Sequence, residues 1–172
     1  MGPNSEEMSV TFLYFAYGSN LTTSRLVERC PSTKFAGLAS VAGYQLEFTK
    51  LSKKDKSGKG NIIAREGSIV HGALFQISLA ERGDLDKAEG GYRRDDKFIV
   101  TLADGKAALV TTYIAKDRIE GLVPYSWYLR LISEGGTKHG LPKPYIDELG
   151  RVLSAADEDG EREKRELAYL AI

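Results

Sequence analysis

Two stretches of this chain carry residues whose types and spacing could do chemistry. The first is Phe12-Leu13-Tyr14-Phe15-Ala16, running into Tyr17-Gly18-Ser19-Asn20-Leu21. An apolar run this short and this aromatic reads as a buried strand. Gly18 permits a tight turn, and Ser19 and Asn20 favour turns and helix caps through side-chain hydrogen bonds to backbone. Leu21, Arg25, Leu26 and Arg29 then suit a short amphipathic helix. Strand, glycine turn and helix start aim unpaired backbone N–H groups at one point, a place for a carboxylate, phosphate or oxyanion. Most such turns only reverse the chain. The second stretch is Leu85-Asp86-Lys87-Ala88-Glu89-Gly90-Gly91. Its Glu89 falls at a helix C-terminus, where a carboxylate opposes the helix dipole. A residue that breaks a local rule hints at function. A third element, Gly140-Leu141-Pro142 with Tyr145, follows far downstream.

Other reactive side chains have less support. Cys30 is the single cysteine, so no intramolecular disulfide forms and a reducing compartment suits the chain. His71 and His139 are the only histidines; His71 lies within an apolar strand pattern, as structural histidines do. One cysteine and two distant histidines make no zinc pattern, and no metal is expected.

The elements that must position these groups follow from periodicity and turn residues. Lys34 to Ser40 and Tyr44 to Lys50 read as two strands around an Ala42-Gly43 turn. Residues 52–60 read as a mobile loop, locally basic from Lys50 to Lys59. Asn61 to Ala64 resumes apolar character, and Gly67 turns into a long strand over Ser68 to Ile77. Ser78 with Glu81 has capping-box spacing for a helix over 78–88, weakened by Gly83. Phe98 to Leu102 and Ala107 to Ile114 are strands joined through Asp104-Gly105. Pro124 opens a helix over Tyr125 to Glu134, closed by Gly135-Gly136. Tyr145 to Leu153 forms another, and the charged run Asp157 to Arg165 reads as solvated. Residues 1–11 are expected to be a flexible tail and 12–172 a single domain. The order implies an α+β (mixed α/β) fold with a curved, partly closed sheet.

Whole-chain numbers narrow the partners. At 172 residues with 42% hydrophobic content, the chain can bury one proper core. Lys+Arg and Asp+Glu both total 24, so the basic excess of a nucleic-acid binder is missing. No apolar run approaches the roughly 20 residues of a membrane span, and the polar start lacks a secretory core. A cytoplasmic protein, without nucleic-acid or membrane partners, is the expectation; a monomer or homodimer both fit.

Together these motifs resemble the γ-glutamylcyclotransferase-like family. Tyr17-Gly18-Ser19-Asn20-Leu21 resembles its substrate loop, and Asn61-Ile62 with Val70-His71-Gly72-Ala73-Leu74-Phe75 its central strands. Leu85-Asp86-Lys87-Ala88-Glu89-Gly90 is similar to its Leu-Asp-x-x-Glu-Gly segment, and Tyr128 through Gly140-Leu141-Pro142-Lys143-Pro144-Tyr145 to its C-terminal signature. The resemblance runs from about residue 12 to 153, in order. It implies a partly closed, barrel-like sheet with flanking helices. It also implies an enzyme of the acyltransferase or lyase type that needs no cofactor and acts on a small γ-glutamyl substrate. The γ-glutamyl amine attacks its own side-chain amide, releasing 5-oxoproline and a free amine or amino acid. Glu89 would be the catalytic acid and base. Tyr17, Gly18, Ser19, Asn20, Leu21, Tyr128 and Tyr92 would bind substrate. One departure is visible: the family's tyrosine on the strand after the Glu-Gly is replaced by Phe98, leaving Tyr92, and Tyr92-Arg93-Arg94 offers a site for a leaving-group carboxylate instead. A non-catalytic binder of the same fold is the alternative. A hydrolase using Ser19 as nucleophile would need His71 or His139 beside it.

Overall fold

The computed structural model describes residues 10–172. Of the expected N-terminal tail, residues 1–9 lie outside the described residues, while Thr11 already opens the first strand and the Val10 carbonyl accepts the Leu79 N–H. Among the described residues five strands form the sheet: β1 (Thr11–Ala16), β2 (Lys34–Leu51), β3 (Gly58–Ser78), β4 (Tyr92–Leu102) and β5 (Ala107–Ala115). In the order β1-β3-β2-β4-β5 they close into a barrel, sealed by a parallel contact of β1 with β5 at Tyr14 and Thr111. The closure thus goes beyond the partly closed sheet that the sequence implies.

β2 and β3 are each continuous where the sequence suggests two strands and a turn. Gly43 and Gly67 do take positive φ, but each stands alone between strand-forming residues, so the ladder kinks instead of reversing. A second irregularity between Glu47 and Lys50 sets Phe48 and Thr49 opposite Gly60. The expected mobile loop shrinks to 52–57, with Ser52 and Ser57 buried and Asp55 bonded to Ser57 and Lys59.

Side-chain alternation sorts the strands into two apolar layers. Phe15, Val41, Ile62, Val70, Leu74, Phe98, Val100 and Val110 pack together inside the barrel. Tyr14, Phe75 and Ile77, one position out of phase, pack under the helices against Leu21, Leu26, Leu85, Leu131 and Ile132. The helices are α1 (Thr23–Arg29), α2 (Arg82–Ala88), α3 (Ser126–His139), α4 (Lys143–Leu149) and α5 (Gly160–Leu167), with short 3-10 turns at Ser19–Leu21, Leu79–Glu81 and Ala168–Ala171. No helix among the described residues is long and apolar enough to cross a membrane.

Three local expectations are corrected. Ser78 does not cap its turn; the Glu81 carboxylate instead accepts the Ser32 N–H at 3.1 Å, tying α2 to the end of α1. Gly135 and Gly136 do not end α3, which runs on to a left-handed cap at Gly140. They sit inside it because a Cβ at Gly135 would lie 2.5 Å from the Leu21 carbonyl carbon, and one at Gly136 would lie 2.8 Å from Ile146 Cδ1. The charged run after residue 156 is only partly solvated. Asp157 is buried, accepts Trp127 Nε1–H at 2.9 Å and pairs with Arg162, which holds its carboxyl down near about 2. That pair anchors α5 beneath the start of α3.

Candidate functional site

β1 delivers Tyr17 and Gly18 into the 3-10 turn Ser19–Leu21, where Leu21 N–H bonds the Gly18 carbonyl at 3.0 Å and Thr22 N–H the Ser19 carbonyl at 3.1 Å. The N–H groups of Gly18, Ser19 and Asn20 precede these bonds and stand outside the turn's own ladder. α3 pins the turn from behind: Thr22 Oγ1 donates to the Leu131 carbonyl at 2.6 Å, and Gly135 lets helix and turn backbones touch. In front of the turn lies a cavity of about 310 Å³ of atom-free space, part of it continuous with solvent. Tyr14, Tyr17, Gly18, Ser19, Asn20 and Glu89 line one part, and Gly60, Tyr92, Tyr113 and Tyr128 the rest.

Glu89 caps α2, its N–H still bonded to the Leu85 carbonyl at 3.0 Å. Its side chain keeps 13% of its surface exposed. Burial raises its carboxyl above the ordinary value, while Arg29, Arg25, the Asn20 hydrogen bond and Lys50 pull the other way. Asn20 is the hub. Its Nδ2 donates to Glu89 Oε1 at 2.8 Å and to the Tyr14 hydroxyl at 3.0 Å, and its Oδ1 accepts Arg29 Nη1 at 3.0 Å. Arg29 consequently stands 3.7 Å from Glu89, with the amide between them accepting from the guanidinium and donating to the carboxylate. The amide orientation is fixed, since a flip would face NH₂ to guanidinium and carbonyl to carboxylate.

The tyrosines are tied to one another and to backbone. Tyr17 donates to the Tyr113 carbonyl, and the Tyr113 hydroxyl donates to Asp86 Oδ1 at 2.7 Å. Tyr92 donates to the Gly60 carbonyl at 2.7 Å, and Tyr128 accepts the Gly60 N–H at 2.9 Å. Burial raises all five hydroxyls above the ordinary phenol value, so each is protonated at neutral pH. Beside the cavity-lining Tyr92, Lys50 Nζ lies 5.2 Å from its ring centroid. Its stem lies against Gly91, where a Cβ would come within 2.8 Å of it.

Of the residues singled out in the sequence, Tyr17, Gly18, Ser19, Asn20, Glu89, Tyr92 and Tyr128 come together around this cavity. Leu21 does not line it: its side chain is fully buried under α3, where it holds the turn. Arg94 is spent on Asp86 and Asp96, and neither it nor the exposed Arg93 lines the cavity. Neither histidine serves Ser19, since His139 bonds Thr23 Oγ1 at 2.8 Å and His71 packs edge-on against Tyr145. Burial pushes the Cys30 thiol up to about 11, away from thiolate chemistry. Sequence reasoning missed Tyr14, Tyr113 and Gly60. Tyr14 lies in an apolar run that reads as pure core, and Gly60 in a Lys/Ser/Gly stretch that reads as loop.

Known proteins share this architecture. The AIG2-like family model matches residues 69–149. Over 146 residues the chain is 32% identical to the γ-glutamylcyclotransferase of Mus musculus, covering 81% of this chain and 77% of that one. The Homo sapiens γ-glutamylcyclotransferase is 31% identical over 155 residues, covering 86% and 80%. A solved structure of a γ-glutamyl cyclotransferase superimposes with a TM-score of 0.83 at 28% identity, over 92% of this chain and 99% of that one. The chain belongs to the γ-glutamylcyclotransferase family. The span matched by the AIG2-like model contains Glu89, Tyr92, Tyr113 and Tyr128, while the Tyr17–Asn20 turn lies N-terminal to it. On β4, Phe98 points into the barrel core, and Tyr92 at the start of the strand brings its hydroxyl to the cavity.

Proposed function

We propose that the chain is a γ-glutamylcyclotransferase, with Glu89 as the base and then the acid of an internal aminolysis. The single observation that carries this is the Glu89 carboxylate, raised by burial and bonded to Asn20 of the turn that walls the same cavity. Nucleophile and electrophile belong to one substrate molecule, so the site has mainly to fold it; well-oriented internal attack reaches effective molarities on the order of 10⁵ M or more. The substrate amine attacks the γ-carbonyl carbon and gives a proton to Glu89. The carbonyl pair moves onto oxygen, then returns as the bond to the leaving nitrogen breaks, and Glu89 passes its proton to that nitrogen. Water, metal and redox group have no part in this balance. The N–H groups of Gly18, Ser19 and Asn20 suit the substrate's α-carboxylate.

We infer that the leaving group carries a carboxylate, as an amino acid does. The support is Lys50, a half-buried cation beside the cavity-lining Tyr92 that forms no ion pair among the described residues and that burial disfavours in its charged form. An incoming carboxylate would compensate that burial. The test is 5-oxoproline release from γ-glutamyl-alanine and from γ-glutamyl-ethylamide, which differ by the carboxylate. Wild type is expected to prefer the first. Lys50→Gln is expected to raise KM for the first by about three- to tenfold and leave the second unchanged. Equal effects on both would remove Lys50 from leaving-group recognition. Absence of release from either, with 5-oxoproline still binding, would make the chain a ligand-binding member of the fold.

A further inference from the structure

We propose that the Gly60 peptide sets the hydrogen-bond polarity of the cavity, so that Tyr128 is the phenol that donates to the oxygen of the scissile carbonyl. This rests on the cyclotransferase reading above and names the groups that serve each end of its reaction.

The irregularity in the β2–β3 ladder, two residues opposite one, leaves Gly60 out of register with β2. Its peptide groups turn to the cavity instead: the N–H to Tyr128 and the carbonyl to Tyr92. Glycine eases this approach, since a Cβ there would sit 3.2 Å from the Tyr128 hydroxyl and press it back by a few tenths of an ångström.

A phenol has one proton and can also accept. Tyr92 spends its proton on the Gly60 carbonyl, Tyr17 on the Tyr113 carbonyl, and Tyr113 on Asp86. Those three present only lone pairs to a ligand. Tyr128 and Tyr14 each accept a bond from an N–H, and among the described residues neither gives its proton to a carbonyl or carboxylate; the Ser19 side chain also hydrogen-bonds the Tyr128 hydroxyl. Accepting a bond also polarises the O–H and makes it a better donor. Tyr14 shares the Asn20 amide with Glu89 and so belongs on the base's side. During attack the carbonyl oxygen points away from both nitrogens that exchange protons with Glu89. Tyr128, held on α3 and fastened through β3, serves that position. It keeps its proton throughout and acts by hydrogen bonding alone as negative charge builds on the oxygen.

The experiment measures kcat and KM for 5-oxoproline release by Tyr128→Phe, Tyr92→Phe and a form with 3-fluorotyrosine at position 128. Tyr128→Phe is expected to lower kcat on the order of 10²–10³-fold with KM little changed, as for loss of an oxyanion donor. Tyr92→Phe frees a backbone carbonyl and is expected to cost about tenfold or less. Fluorination strengthens a phenol as a donor, so the 3-fluorotyrosine form is expected to keep or raise kcat. Equal kcat losses in the two phenylalanine variants, a Tyr128→Phe effect confined to KM, or a kcat loss on fluorination would each overturn the assignment while leaving the cyclotransferase intact. Absence of release by wild type overturns both together, and is read before any variant is made.

Discussion

Replacing Glu89 by glutamine is expected to lower 5-oxoproline release on the order of 10²–10⁴-fold, the range for a positioned acid–base group. Glutamine keeps the shape and can accept from Asn20, yet can take no proton from the attacking amine. The pH profile carries the same information. Wild-type kcat/KM is expected to rise with pH through the ionisation of Glu89, at a value above the ordinary carboxylate because burial disfavours the charge. Stability moves in the opposite sense. Between the ordinary carboxylate range and the raised value, the folded state holds a proton that the unfolded chain has already lost. Stability therefore falls as pH rises through that window, and at pH 7 the native fold bears the cost. Glu89→Gln removes the cost, so its melting temperature is expected to equal or exceed that of wild type at neutral pH. Release within tenfold of wild type, from a variant with an unchanged melting curve, would take Glu89 out of the reaction.

Gly135→Ala is expected to do the reverse, harming stability and activity together. On an exposed helix the change would stabilise by up to about 1 kcal/mol. Here the new methyl would lie 2.5 Å from the Leu21 carbonyl carbon and 2.6 Å from its oxygen and from Thr22 N. All three are backbone atoms of the cavity turn and cannot rotate aside. Either α3 or the turn must shift, with a cost of about 1–3 kcal/mol for overpacking. A displacement near 1 Å at Gly18–Asn20 is enough to cost about 10²-fold in rate. Gly83 offers the contrast, because a Cβ there meets nothing within 4 Å and Gly83→Ala is expected to stabilise α2. Thermal melts and kcat/KM on both variants decide it: a Gly135→Ala protein as stable and active as wild type would mean that turn and helix are not rigidly coupled.

The same glycine shows where the sequence stops being legible. Gly135-Gly136 reads as a helix terminator because glycine's freedom in φ is its commonest use; that it is present for want of a side chain emerges only once Leu21 and Ile146 are set against it. The Tyr17–Asn20 turn and Glu89 were legible because each breaks a local pattern, turn residues cutting short an apolar strand and a carboxylate at the wrong end of a helix. Leu21 was drawn in by adjacency, although side chains on a 3-10 turn point apart and this one faces the core. The barrel-like sheet was legible through the family resemblance and not through strand patterning, since alternation of period two is the same in an open sheet and a closed one. The charged tail misled for a related reason: composition says that Asp157 is polar, and only the fold places Trp127 and Arg162 around it.

The seam between β1 and β5 ties the cavity to the order in which the chain assembles. Their register is set by the single parallel pairing of Tyr14 with Thr111, reinforced by Thr112 Oγ1 to the Phe15 carbonyl at 2.9 Å and by Tyr17 to the Tyr113 carbonyl. Every other neighbouring strand pair in the barrel is antiparallel, and β4 with β5 and β1 with β3 form long ladders. A contact so distant in sequence carries the largest loop-closure entropy and belongs late in folding. Tyr14 and Tyr17 stand on one side of it and Tyr113 on the other, so a chain with all its strands formed but this seam open has no site. Catalytic competence is then among the last properties the folding chain acquires, and the seam's own bonds, Thr112 to Phe15 and Tyr17 to Tyr113, are what hold the site together once it has formed.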